Sequence, residues 1–114
     1  MTAPIFVSYA SKDREAALAL CRALENRGFR CWISIRDIGP GENFQVAIPR
    51  AIHDAEVMVL VFSAESNNSD EVKKELALAG QNRLIVIPVR VEDVTPGEWG
   101  GARRPHAAIV ARRT

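Results

Sequence analysis

A doubly wound parallel α/β sheet of four to five strands, with helices on both faces, is the fold this sequence predicts. Short apolar runs alternate with helical periodicities along the chain, in the order βαβαβαβ. The strongest run, Val57–Phe62, is six consecutive apolar residues including three valines. Such a run needs both sheet faces covered, which marks a parallel sheet. The chain has 114 residues, 47% of them hydrophobic and 25% charged, which suits one ordinary globular domain and leaves no room for two cores.

The elements follow in order. Ile5, Phe6 and Val7 are long enough for a buried strand and too short for a helix. Ser11 can cap the next helix, where Asp13 and Glu15 suit the positive helix end. Ala16, Ala17, Leu20, Cys21 and Leu24 recur at helical spacing until Gly28 stops the helix. Residues 29–35 read as a second strand, with Trp32 in the core, and Gly39, Pro40 and Gly41 read as a loop. Residues 44–55 suit a helix that Pro49 should distort or shorten. After the strand at 57–62, residues 68–79 form a helix that ends at Gly80, and residues 84–91 a fourth strand.

Composition excludes several classes. A net charge of +1 offers no electrostatic footprint for nucleic acid or an anionic membrane. No apolar run reaches the ~20 residues of a membrane-spanning helix, and Met1-Thr2-Ala3-Pro4 lacks the basic lead of a signal peptide. Cys21 and Cys31 have no metal or redox spacing and His53 and His106 stand alone, so no metal site and a reducing cytoplasm are expected. No dinucleotide-fold or phosphate-loop fingerprint occurs, nor a serine elbow. A phosphoacceptor domain of this architecture would need acids where Ser8, Tyr9 and Ser63 stand.

Residues 1–96 form the predicted domain, with 11 lysines and arginines against 13 acids. Residues 97–114 carry four arginines and one glutamate and are expected to be an irregular basic tail, in which only 107–111 could make a short strand.

In such sheets ligands bind beyond the carboxyl ends of the strands, where the strand order reverses. With an order of 2-1-3-4, residues 8–13 and 63–69 would wall that crevice. Ser8, Ser11, Ser63, Ser66, Asn67, Asn68 and Ser69 suit sugar hydroxyls, and equally serve turns and caps. On the helix that follows, Val72, Leu76 and Ala79 define the buried stripe. Glu75 falls about 60° from its centre, at the margin of the core. Glu71 lies one turn earlier, where it opposes ionisation of Glu75 and pairs with Asn68 as a capping box.

The stretch from Ile5 to Asp13, I-F-V-S-Y-A-S-K-D, resembles the first motif of Toll/interleukin-1 receptor (TIR) domains. Arg36, Asp37, Ile38, Gly39, Pro40 and Gly41 are similar to the second motif, the loop after strand two. Residues 69–75 resemble the segment that carries the catalytic glutamate in members that cleave NAD. Two places depart from the pattern. Glu71 stands where an aromatic residue is usual, and the Phe-Trp third motif is not visible, with Trp99 a poor substitute.

The resemblance, of a bacterial type, implies a flavodoxin-like fold and a choice of functions. Either the chain hydrolyses NAD+ to nicotinamide and ADP-ribose or its cyclic variant, or it signals by docking onto other TIR domains. For the first, it implies Glu75 as catalytic residue, with Ala10, Ser11, Lys12, Gly41 and Ser69 at the substrate; NAD+ is then substrate, and no cofactor is implied. For the second, it implies docking through residues 36–44, with Ile38 and Phe44 as apolar anchors and Arg36 and Asp37 as a polar rim. It further implies that the family's fifth strand and last helix are missing or replaced by the tail.

Overall fold

A computed structural model describes residues 4–93 and 109–113. Five strands form one parallel sheet: β1 (Ile5–Ser8), β2 (Cys31–Trp32), β3 (Val57–Phe62), β4 (Ile85–Asp93) and β5 (Ile109–Arg113). Their order is β2-β1-β3-β4-β5, so the direction of progression reverses between β1 and β3. The doubly wound α/β sheet predicted is the fold observed.

Period-two alternation divides the core. Ile5 and Val7 of β1, with Val59 and Val61 of β3, face α1 (Arg14–Asn26), whose Ala16, Ala17 and Cys21 are buried there. Phe6 and Met58 face the opposite layer, formed by α3 (Phe44–Asp54) and α4 (Asp70–Gln81). Phe6 stacks on Trp32 with ring centroids 5.2 Å apart and planes 14° from parallel. Burying a phenyl ring of this kind contributes about 2–3 kcal/mol. The same alternation puts Ser8, next after Phe6 on that face, toward α4, and this places the candidate site.

Several local expectations are corrected. The second strand is two residues long, because Ile33 leaves the sheet. Its N–H donates to Asp37 Oδ2 at 2.8 Å and its carbonyl accepts from the N–H groups of Arg36 and Asp37, winding residues 34–37 into a one-turn α2 (Ser34–Asp37). The helix α3 runs through Pro49. The missing hydrogen bond costs on the order of 3 kcal/mol, offset by packing Ile48, Ala51, Ile52 and Ala55 on the Phe6 layer. Ser69, not Asn68, caps α4, accepting from the Val72 N–H at 3.2 Å. At its other end Arg83, with φ 59°, takes the left-handed conformation in place of Gly80. Ser11 caps nothing; it opens a short 3-10 turn, Ser11–Asp13.

The segment expected to be an irregular tail supplies β5. Residues 109–113 pair in register with residues 89–93 of β4, because the sheet still has an open edge there to satisfy. Pairing begins only at Val89, and upstream of it Ile85 is 65% exposed. The helix expected to be missing or replaced, and the poor third-motif Trp99, fall outside the described residues. No helix among the described residues is long and apolar enough to cross a membrane.

Candidate functional site

The reversal between β1 and β3 leaves a crevice at their carboxyl ends, where a parallel sheet binds its ligands. A hollow of about 250 Å³ lies there. The turn after β1 lines one wall with Ala10, Ser11 and Lys12; Glu65, Asn68, Ser69, Asp70 and Glu71 line the other. Four of the sequence-predicted residues, Ala10, Ser11, Lys12 and Ser69, are therefore brought together. Gly41 is not on either wall; it sits after α2 with φ 81°, in open space.

Glu75 lies one helical turn beyond Glu71, at the half-buried margin of α4. Its Oε1 accepts a hydrogen bond from Ser8 Oγ at 2.7 Å. Ser8 is 1% exposed, so this bond is shielded from water. Burial pushes the Glu75 carboxyl up to about 7, the Ser8 hydroxyl pulls the other way, and the charge of Glu71 adds to the rise. The carboxyl is thus poised between its two forms at neutral pH, which is what an acid, a base or a switchable charge requires. Sequence reading placed Ser8 only among the polar residues of the crevice. The alternation from Phe6, projected one pair further along β1, is the signal that assigns it to the α4 face.

The two walls are tied together. Lys12 Nζ lies 3.7 Å from Glu65, an exposed pair, and Ser63 Oγ donates to Asp13 Oδ2. The wall charges are three carboxylates to one ammonium. Ser69, whose backbone carbonyl and hydroxyl both close the first turn of α4, also donates weakly to Glu71 at 3.4 Å.

A larger hollow, about 750 Å³, opens beside the sheet edge at β2. Three of its charged residues, Arg36, Glu25 and Asp37, already pair with one another. Arg36 donates to Glu25 at 2.8 Å, to the Cys31 carbonyl at 3.0 Å and to Asp37 at 3.0 Å. Chemistry therefore favours the smaller crevice. The same bonds place Arg36 and Asp37, expected as a polar rim, inside the chain's own network. Ile38 is half-buried, Pro40 is exposed, and Phe44 and Val46 are 60% and 52% exposed. Gly39 donates its N–H to Glu42 at 2.7 Å, which closes the turn. Among the described residues no three His, Cys, Asp or Glu side chains group as metal ligands.

Comparison with known proteins follows the same lines. The family model described as "TIR domain" matches residues 5–112. The stimulator of interferon genes protein of Magallana gigas is 32% identical over 102 residues, 80% of this chain and 25% of that protein. The probable 2′ cyclic ADP-D-ribose synthase BdTIR of Brachypodium distachyon is 27% identical over 96 residues, 82% of this chain and 42% of that protein. This chain thus spans less than half the length of either curated relative. Among solved structures, the TIR domain of the Toll-related receptor TRR-2 from Hydra magnipapillata superposes with a TM-score of 0.73 at 23% identity, covering 96% of this chain and 84% of that one.

Proposed function

We propose an activity for this chain from a fixed premise: it belongs to the TIR domain family. The activity is hydrolysis of NAD+ at the bond between nicotinamide and ribose. The observation that carries the reading is the shielded hydrogen bond between Ser8, at the carboxyl end of β1, and Glu75, which does not itself line the hollow but lies one helical turn beyond the lining residue Glu71. A relative named as a probable cyclic ADP-ribose synthase supports the substrate class.

The chemistry asks for little machinery. As the C1′–N1 bond breaks, its electron pair goes to the pyridinium nitrogen, nicotinamide leaves neutral, and positive charge develops on the sugar. A carboxylate fixed nearby and partly removed from water stabilises that charge more than it stabilises the ground state. Water then adds at C1′ and loses a proton, giving ADP-ribose; a hydroxyl of the same molecule attacking instead gives a cyclic product. Glu75 supplies the charge, Ser8 holds it in place, and Ser69 with the backbone of residues 10–12 meets the ribose. Lys12 serves the diphosphate by leaving Glu65, a change that costs well under about 1 kcal/mol for an exposed pair. At about 250 Å³ the hollow holds the reacting end of the dinucleotide, and the remainder lies along the surface. The free, buried thiols of Cys21 and Cys31 support a cytoplasmic setting.

Nicotinamide release is the test. The Glu75→Gln variant keeps the shape and an acceptor for Ser8 but loses the charge, and turnover should fall about 10²-fold or more. Turnover at the wild-type rate overturns the assignment.

A second reading, docking onto another TIR domain, is favoured by a separate observation. Phe44 and Val46 stand exposed at the start of α3, immediately after the turn at Gly41. Proline cannot adopt the positive φ of Gly41. Gly41→Pro should abolish self-association measured by sedimentation across protein concentration. Loss of association with NAD+ cleavage intact would separate docking from catalysis.

A further inference from the structure

We propose that Asp13 and Ser63 form a clasp that holds the two walls of the crevice at a set spacing, which makes Asp13 a positioning residue for substrate binding; the role rests on the NAD+-cleaving reading above. Asp13 occupies the position before the first residue of α1, where an aspartate ordinarily accepts hydrogen bonds from the helix's own N–H groups. It makes no such cap. Its carboxylate is turned instead toward the other wall, and the residue is 3% exposed. There Oδ2 accepts from Ser63 Oγ, 50 residues further along the chain. A buried carboxylate is stable only where hydrogen bonds replace water, so this contact is a constraint and not a surface encounter.

Each end of the clasp is rigid. On the first wall, the Asp13 N–H donates to the Ala10 carbonyl at 2.8 Å and closes the turn that carries Ser11 and Lys12. On the second, the Ser63 hydroxyl also accepts from the N–H groups of Glu65 and Ser66 at 3.1 and 3.2 Å. Ser66 Oγ in turn accepts from the Ser63 N–H at 3.0 Å and donates to the Ser63 carbonyl at 2.8 Å. One turn of 3-10 helix later comes Ser69, the cap of α4. The exposed Lys12–Glu65 pair also spans the walls, but such a pair cannot hold a spacing by itself. The Ser8–Glu75 bond joins β1 to α4 and does not pass through the clasp. Opening the clasp therefore loosens substrate contacts and leaves the charged group in place.

Steady-state kinetics with NAD+ and amide hydrogen exchange of wild-type protein, Asp13→Ala, Ser63→Ala, their double variant and Asp13→Asn test this. Asp13→Ala and Ser63→Ala should each raise KM about tenfold, the scale of one hydrogen bond to a charged group. Turnover at saturation and its pH midpoint should stay within about twofold of wild type. The double variant should be no worse than either single one. Amides of residues 10–13 and 63–69 should lose protection together while the strands keep theirs. Asp13→Asn, whose amide oxygen accepts the same bond, should restore KM. An unchanged KM in Ser63→Ala, loss of protection on one wall only, or a fall in turnover without a change in KM overturns the clasp. Should Asp13→Ala fail to fold, Ser63→Ala and Asp13→Asn decide alone. Wild-type protein that releases no nicotinamide overturns the NAD+-cleaving reading and the positioning role with it, while the exchange data still report whether the walls are joined.

Discussion

The crevice between β1 and β3 and the segment after β2 are both built from small and charged residues, and they are held by opposite means. In the crevice the ties join distant parts of the chain: Ser8 to Glu75 across 67 residues and Ser63 to Asp13 across 50. After β2 most of them are local: Arg36 to its neighbour Asp37, Ile33 to Asp37 four residues on and Gly39 to Glu42 three on, with Glu25 of α1 eleven residues from Arg36 and Tyr9, bonded to Ser34, the furthest reach at 25. Burial takes the Glu75 carboxyl out of water and holds it near 7, against the pull of its tie to Ser8. Local ties keep the turn's shape while Phe44 and Val46 remain outside. The first arrangement holds a side chain in a state water would not allow, as chemistry needs. The second presents apolar groups on a stiff support, as docking needs.

The contrast can be broken most sharply through pH. The carboxyl of Glu75 ionises near 7 in the folded chain against an ordinary 4.5. Between those values the unfolded chain loses its proton first, so the folded state is penalised as pH rises through the window. The full penalty is on the order of 3 kcal/mol above pH 7 and vanishes below pH 4.5. Glu75→Gln should therefore match wild type in urea unfolding at about pH 4 and exceed it at about pH 8. Equal stability at both ends would mean that water reaches the carboxyl freely.

A smaller effect should follow from Ser8→Ala. Without its donor the ionised form of Glu75 loses a partner, and the midpoint of the pH–rate profile should move upward by up to about one unit. A midpoint that stays put would remove Ser8 from the control of that charge.

On the other side of the comparison, Arg36→Ala should lower stability by about 1 kcal/mol, since the ion pair is more than a third exposed on the arginine side yet the Cys31 carbonyl loses its donor. It should leave the pH–rate midpoint unmoved. A shift in that midpoint would show that the two regions are coupled.

How far these regions were readable from the chain differs for the same reason. The crevice was legible in kind: the marginal place of Glu75 follows from helical spacing and the polar loops stand in the sequence, while the reversal between β1 and β3 entered as an assumed order that the structure bears out. The segment after β2 misled at the level of single residues. The apolar stretch at 29–35 reads as a strand, yet the Asp37 carboxylate captures the Ile33 N–H and winds the chain into a helical turn. Arg36, expected as part of a polar rim, stays exposed but is tied to the carbonyl of Cys31, a partner that nothing in the sequence announces. Asn68 reads as the cap because Glu71 stands three residues on, yet backbone geometry chose Ser69.

What the sequence determined by itself is the order of elements and the face each residue presents, because both rest on periodicities of two and 3.6 that need no partner. Which of those faces meet was decided only by tertiary structure. Ser8 reaches Glu75, Asp13 abandons its own helix for Ser63, and residues 109–113 complete a sheet edge as β5. For Ser8 and Asp13, 1% and 3% exposed, burial settles the choice between partners, since a polar group removed from water must take the partner that folding brings to it.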